Sequence, residues 1–265
     1  MSKFSVVIAN PAGNITAFVL DQNIEKSNYI YLANKLMDIK EFGIEQVGFI
    51  KKPTVGGELR LEMMGGEFCG NATRSFGLYI ANKNGETSEK TITVEISGCS
   101  NTLDVETNVT NDYARTSMPL PKVIDYIKLV NGQLLPVIVF EGIVHVIVED
   151  EEVSNEMYEK VKKEVINKYN SEAFGLMFLK SDKLYITPVV YVRETDSLVY
   201  ERSCGSGSIS IAIYLAKNEK DGVFTYDIYQ PGGIIETKVY KEKGKVVKAT
   251  IGGKVTLSDI KTIHV

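Results

Sequence analysis

Cys69 and Cys204 each stand directly before small residues that run into an apolar stretch, "CGNATRSFGLYIA" in the first case and "CGSGSISIAIYLA" in the second. Each stretch reads as the mouth of a helix, so each thiol falls at a helix N-terminus. Such a terminus carries backbone N–H groups with no intrahelical partner and positive dipole character. It lowers the pKa of an adjacent thiol. It also binds an anion such as a carboxylate, more closely where glycine lets the backbone approach. Two such termini holding one carboxylate would set a thiol on each side of the neighbouring α-carbon. One thiolate would then take the α-proton while the opposite thiol delivers a proton to the other face, which inverts the stereocentre. The carbanionic intermediate would be stabilised by the clustered N–H donors. A single Cys-Gly pair is more often packing than chemistry, because free cysteine is among the most buried residue types. Finding the pair twice changes that weighting.

The positioning elements repeat as well. With Cys69 laid on Cys204 without a gap, Ser75 falls on Ser210, Tyr79 on Tyr214 and Ala81 on Ala216. The offset is close to half the chain, which suggests duplication of a whole domain. Residues 23–38 and 153–169 both carry apolar residues at helical spacing. Each is followed by a strand-like run, "EQVGFI" or "FGLMFL", and each cysteine helix by a strand and a glycine turn. Turn signals stand at Asn131-Gly132, Lys243-Gly244 and Gly252-Gly253. Residues 72–81 and 207–216 are apolar or small on nearly every face, Arg74 being the main exception. A surface helix would show a polar stripe, so both are expected to lie buried lengthwise with a sheet wrapped around them. The expected fold is α/β, with two pseudo-symmetric halves, each a strongly curved, mostly antiparallel sheet around a central helix. The prolines of "SMPLPK" (117–122) mark the boundary. The halves are then 1–118 and 119–250, with a strand at about 251–265 returning to the first.

Composition narrows the function classes. The chain has 265 residues, 44% of them hydrophobic, and a net charge of −4. That is enough to bury a large core, and no basic stripe suggests nucleic acid. No 18-residue apolar run suggests a membrane span. The start reads as two strands around "NPAGN" and makes a poor signal peptide. Three cysteines do not suggest a disulfide framework, so a cytoplasmic location with reduced thiols is expected. No further Cys or His stands at ligand spacing to complete a metal site. Cys99, in the glycine turn "ISGCS", has an apolar counterpart in the second half and reads as structural.

"FCGNAT" and "SCGSGS", one per half, resemble the paired signatures of the diaminopimelate epimerase superfamily, cofactor-independent amino-acid racemases and epimerases of two pseudo-symmetric α/β domains. The resemblance extends from "NPAGN" to "QPGG". It implies a two-base mechanism with Cys69 and Cys204 as the acid/base pair and no cofactor. It implies carboxylate binding by the backbone around Gly70, Asn71, Gly205 and Ser206, and substrate contacts from Asn14, Gln46 and Arg202. His145 matches a histidine near one catalytic thiol, and Glu201 matches the glutamate of an "ER" pair beside the thiols. The chain departs from the diaminopimelate enzymes where they hold the far end of that substrate. Gly142-Ile143-Val144-His145 lacks an asparagine, Ala173-Phe174 replaces another, and only Ser203 separates "ER" from the second cysteine. Losing such partners costs about 1–3 kcal/mol each for a buried polar group, which disfavours a distal ammonium and carboxylate. Within the superfamily the pattern is most similar to the histidine racemases, which implies a small amino-acid substrate, L-histidine, with a homodimer as one assembly the family forms. A diaminopimelate epimerase, a proline or hydroxyproline racemase, and a non-catalytic amino-acid-binding protein remain the alternatives.

Overall fold

A computed structural model describes residues 3–193 and 196–264. The chain is mixed α/β, with four α-helices among the described residues: α1 (Tyr29–Met37), α2 (Gly70–Lys83), α3 (Asn155–Lys168) and α4 (Gly205–Ala216). It divides into two compact units, Met1–Ser117 with Gly252–Val265, and Met118–Ile251.

In the first unit, strand Lys3–Asn10 pairs antiparallel with Thr16–Val19 and also with Thr256–Leu257 and Lys261–His264. The chain's last strands therefore complete the sheet that its first strand opens. Thr16–Val19 lies parallel to Gln46–Lys51, with α1 in the crossover, and Gln46–Lys51 lies antiparallel to Arg60–Met63. Arg60–Met63 is parallel to Glu89–Ile96, with α2 in the crossover, and two antiparallel steps lead on to Tyr113–Ser117. Parallel neighbours demand such crossovers, which a two-residue turn cannot supply.

Every residue of α2 from Gly70 to Ala81 is buried. It packs on Glu89–Ile96, Leu103–Asn108 and Tyr113–Ser117, in a core that includes Phe18, Phe76, Leu61 and Ile92. Gly77 meets Val105 so closely that a Cβ there would lie 2.5 Å from its side chain. Arg74, the polar exception in the sequence, is fully buried. Its Nε donates to Asn71 Oδ1 at 3.1 Å, and its Nη1 donates to the carbonyls of Gly253 (2.9 Å) and Lys254 (3.2 Å). A charge buried on a helix is tolerated here because backbone acceptors surround it.

In the second unit, Val123–Lys128 and Leu134–Val139 pair antiparallel, and Leu134–Val139 is followed by Ile143–Glu149 in the same sense. Ile143–Glu149 is parallel to Ala173–Lys180 with α3 in the crossover, and Ala173–Lys180 is antiparallel to Tyr185–Val192. Tyr185 then meets Tyr229 in a parallel pairing across α4, and Gly222–Gln230 forms a hairpin with Gly233–Glu242. The buried Lys241 closes the C-terminal end of α4, donating to the carbonyls of Ala216 (2.9 Å), Lys217 (2.8 Å) and Glu219 (2.6 Å). A cation there meets both the orphaned carbonyls and the negative end of the dipole.

Two local expectations are corrected. Helix α1 begins at Tyr29, not at residue 23, because Lys26–Asn28 form a 3-10 turn and Asn28 makes no side-chain capping bond. Gly252-Gly253 is not a turn but lies inside strand Lys245–Lys254. Its glycine serves close approach, since a Cβ on Gly252 would lie 2.7 Å from Tyr113 Oη and 2.8 Å from Arg115 Cζ.

Candidate active site

Both cysteines are helix N-caps. Cys69 (φ −131°, ψ 112°) precedes α2, and its sulfur accepts the Ala72 N–H at 3.4 Å. Cys204 (φ −124°, ψ 111°) precedes α4, and its sulfur accepts the Gly207 N–H at 3.3 Å. Serine, threonine, aspartate and asparagine ordinarily fill this position. The hydroxyls of Thr73 and Ser208, four residues on, each donate to the cysteine carbonyl at 2.7 Å. Those of Ser75 and Ser210 donate at 2.8 Å to Asn71 and Ser206. The paired motifs thus encode the same hydrogen bonds. Gly70 and Asn71 open α2 as Gly205 and Ser206 open α4, at positions ahead of the helix's own bonding pattern.

Around Cys69 the first unit gathers a polar cluster. Asn14 follows a turn in which the Gly13 N–H donates to Asn10 Oδ1 at 2.7 Å, with Ala12 and Gly13 at positive φ. Thr16 stands opposite Gln46 on the neighbouring parallel strand. Gln46 Nε2 lies 2.7 Å from Asn14 Oδ1, 2.8 Å from Thr16 Oγ1 and 3.3 Å from Cys69 Sγ. Two amide protons thus face three acceptors, one of them the sulfur. Cys69 Sγ lies 3.8 Å from Asn14 Oδ1, and Asn14 Nδ2 donates to Glu45 at 3.4 Å. Behind the cluster, Ser97 Oγ accepts the Met63 N–H and donates to the Glu67 carbonyl, both at 2.8 Å. Gly98, at φ +72°, sits where a Cβ would lie 2.3 Å from Phe68 N. The turn carrying Cys99 therefore braces the approach to Cys69, while Cys99 packs at the edge of the core.

Cys204 is more enclosed, at 6% exposure. Burial pushes its thiol well up, and the charge and hydrogen bond of the Glu201 carboxylate push it further, against smaller opposing effects from Ser206 and the Gly207 N–H. The helix terminus alone predicts a depressed thiol; in this enclosure desolvation and a neighbouring carboxylate win, and the resting form is the protonated thiol. Ser206 Oγ lies 3.6 Å from Cys204 Sγ and 2.9 Å from His145 Nε2. His145 is wholly buried, and burial lowers its pKa to about 3, so the ring is neutral near pH 7. Its Nδ1 has no hydrogen-bond partner. A proton on Nε2, donated to Ser206, leaves only an acceptor unmatched and frees the serine hydroxyl to donate to sulfur. Gly175, opposite His145 on the parallel strand, makes room for the ring, since a Cβ there would lie 2.6 Å from Nδ1.

The remaining expected residues divide. Asn71 is buried, with its side chain committed to Arg74. The Arg202 side chain is exposed, and its carbonyl accepts the Gly232 N–H at 2.7 Å. Sequence reasoning missed Thr16, Ser208 and Gln230. Thr16 had one signal, its place two residues beyond Asn14. Among the described residues no group of three or more His, Cys, Asp or Glu could hold a metal ion, and no helix is long and apolar enough to cross a membrane.

A family profile described as the histidine racemase CntK N-terminal domain matches residues 3–262. A histidine racemase of Fusobacterium nucleatum subsp. nucleatum is 36% identical over 236 residues, covering 86% of each chain. The histidine racemase of Staphylococcus aureus is 30% identical over 233 residues, covering 85% of each. Among solved structures, a hydroxyproline epimerase from Agrobacterium vitis aligns at a TM-score of 0.71 and 10% identity, over 98% of this chain and 92% of its own. A probable proline racemase from Agrobacterium radiobacter aligns at 0.64 and 14% identity, over 97% and 93%. At such identities the structural likenesses establish the fold alone.

Proposed function

The chain belongs to the histidine racemase family, and from that premise we propose that it interconverts L- and D-histidine by cofactor-independent transfer of the α-proton between two thiols. The observation that carries this reading is the twin N-cap, a cysteine sulfur held by first-turn N–H groups at the start of both α2 and α4. The repeated order of strand pairings supports a pseudo-symmetric origin for the two units, each supplying one thiol.

Cys69 and Cys204 are the acid/base pair. As a thiolate, one sulfur takes the α-proton, and the electron pair left on carbon delocalises into the carboxylate. The other thiol then protonates the opposite face, so each turnover ends with thiol and thiolate exchanged. Main-chain N–H groups at Gly70, Asn71, Gly205 and Ser206 hold the substrate carboxylate and stabilise the charge that develops on it. Asn14 and Gln46 contact the substrate beside Cys69, and Arg202 contacts it from the exposed rim. Glu201, already hydrogen-bonded to Cys204, receives that thiol's proton when Cys204 must act as base. His145, held neutral, orients Ser206 and does not itself carry the proton. A reducing cytoplasm, which keeps both thiols free, suits this chemistry, and a homodimer is the assembly this reading includes.

The test is incubation of L-histidine in D2O without added cofactor. Deuterium should enter the α-position as D-histidine forms, and hydroxylamine, which traps a pyridoxal aldehyde, should change nothing. LL-diaminopimelate and trans-4-hydroxy-L-proline offered in parallel should react far more slowly. Faster turnover of either would reassign the substrate, and binding of histidine without exchange would make the protein a binder.

A further inference from the structure

We infer that Gln230, in the hairpin turn of "QPGG", is the positioning residue for Cys204. The inference rests on Cys204 being one of the two reacting thiols. Gln230 is 4% exposed and stands at the end of strand Gly222–Gln230, paired with Gly233 across the Pro231-Gly232 turn. Its Oε1 accepts the Cys204 N–H at 2.7 Å, and its Nε2 donates to Ser208 Oγ at 2.9 Å. The Ser208 hydroxyl in turn donates to the Cys204 carbonyl at 2.7 Å. One amide therefore grips both polar groups of the cysteine backbone, one directly and one through a single hydroxyl. The same turn holds the approach to the cysteine, since the Gly232 N–H donates to the Arg202 carbonyl at 2.7 Å.

This clasp has chemical consequences. It fixes the extended backbone of Cys204, and with it the line along which the sulfur meets the Gly207 N–H. It also occupies the Cys204 N–H, leaving anion binding at this terminus to the N–H groups that follow. A thiol that moves a proton to or from carbon works only within a narrow range of position, and a displacement of about 1 Å costs about 100-fold in rate. Cys69 has the counterpart of the Ser208 hydroxyl in Thr73.

The test substitutes Gln230→Leu and Ser208→Ala and follows two quantities. The first is histidine racemisation; the second is iodoacetamide alkylation of each cysteine, read separately by peptide mass against pH. Gln230→Leu should lower kcat about 10-fold to 100-fold while KM stays within about twofold. It should also shift the pH profile of Cys204 alkylation and leave that of Cys69 unchanged. Gln230→Glu, which keeps the acceptor for the Cys204 N–H, should retain more activity than Gln230→Leu. If Gln230→Leu does not fold, Ser208→Ala, which removes one hydroxyl, should give a smaller shift confined to Cys204. Equal changes at both cysteines would reveal general loosening and overturn the assignment, as would an unchanged kcat. Should the protein prove inactive on histidine, the alkylation profiles still decide the clasp, so the two readings fail separately.

Discussion

Cys69 and Cys204 cap their helices with backbone angles that differ by only a few degrees, and each sulfur receives one first-turn N–H. What surrounds them differs in kind. Cys69 is half-buried and faces the amide of Gln46, a donor, within a cluster that includes Asn14 and Thr16. Cys204 is buried against a carboxylate and a serine that leans on a neutral imidazole. A duplicated backbone device therefore carries unequal electrostatics, and the inequality assigns the resting proton to Cys204. On the proposed two-thiol mechanism one thiol must start protonated, and the surroundings of Cys204 favour that form without any change in the helix itself.

The largest effect expected is from Cys69→Ser and Cys204→Ser. Each should reduce racemisation in both directions by about 1,000-fold or more, because general acid and general base are lost in turn. Retained racemisation in one variant would break the pairing. Next, Glu201→Gln should lower kcat by about 100-fold and yet speed alkylation of Cys204 at pH 8. The sign follows from the proton. The carboxylate raises the thiol's pKa, so removing its charge brings the pKa down and enlarges the thiolate fraction at fixed pH, while Cys69 should not respond. An unchanged Cys204 profile would remove Glu201 from the account.

A smaller effect tests the two first turns by exchange. Gly207 corresponds to Ala72, but a Cβ at 207 would lie 2.2 Å from Met177 Sδ and 3.2 Å from Cys204 Sγ. Gly207→Ala should cost about 1–3 kcal/mol in stability by overpacking and slow the reaction. Ala72→Gly should cost about 1 kcal/mol through helix propensity. Equal costs in denaturant melts would mean that the two turns are interchangeable. The last effect, gradual in pH, concerns acid. Below pH 6.5 the unfolded chain takes up a proton that folded His145, titrating at about 3, does not. Stability contributed by the neutral ring is therefore present above 6.5 and lost as the pH falls towards 3, at no more than about 1.4 kcal/mol per unit. His145→Gln should flatten that limb of the stability curve.

The sequence carried the geometry of the two cysteine N-caps as far as it is local. Helix starts and buried helix faces are short-range consequences of "CGNAT", "CGSGS" and the apolar runs after them, and they could be read without coordinates. The groups around each thiol come largely from elsewhere in the chain: Gln46 reaches Cys69 through strand register, His145 reaches Ser206 from a strand 61 residues away, and Gln230 reaches the Cys204 N–H through a hairpin turn. Register decides those meetings, and a one-residue slip would turn each side chain to the other face. That is why Gln46 and His145 were reached through resemblance, and why Gln230, a polar residue at the end of an ordinary strand, escaped notice. Burial of Cys204 was equally invisible, since nothing in "SCGSGS" says what covers it. Glycine misled once, at Gly252-Gly253, because close approach and turn formation ask for the same residue.

The first unit borrows its closing strands from residues 256–264, and buried Arg74 spends its guanidinium on carbonyls at 253 and 254. On a ribosome adding about 5–20 residues per second, the stretch 118–251 must be made before those pieces exist. For something on the order of ten seconds the nascent N-terminal half waits with an open sheet edge and with Arg74 short of two of its carbonyl acceptors. The half made second, contiguous in sequence, has no such wait. Vectorial synthesis therefore leaves the setting of the Cys69 helix incomplete until the strands beyond residue 251 have been made.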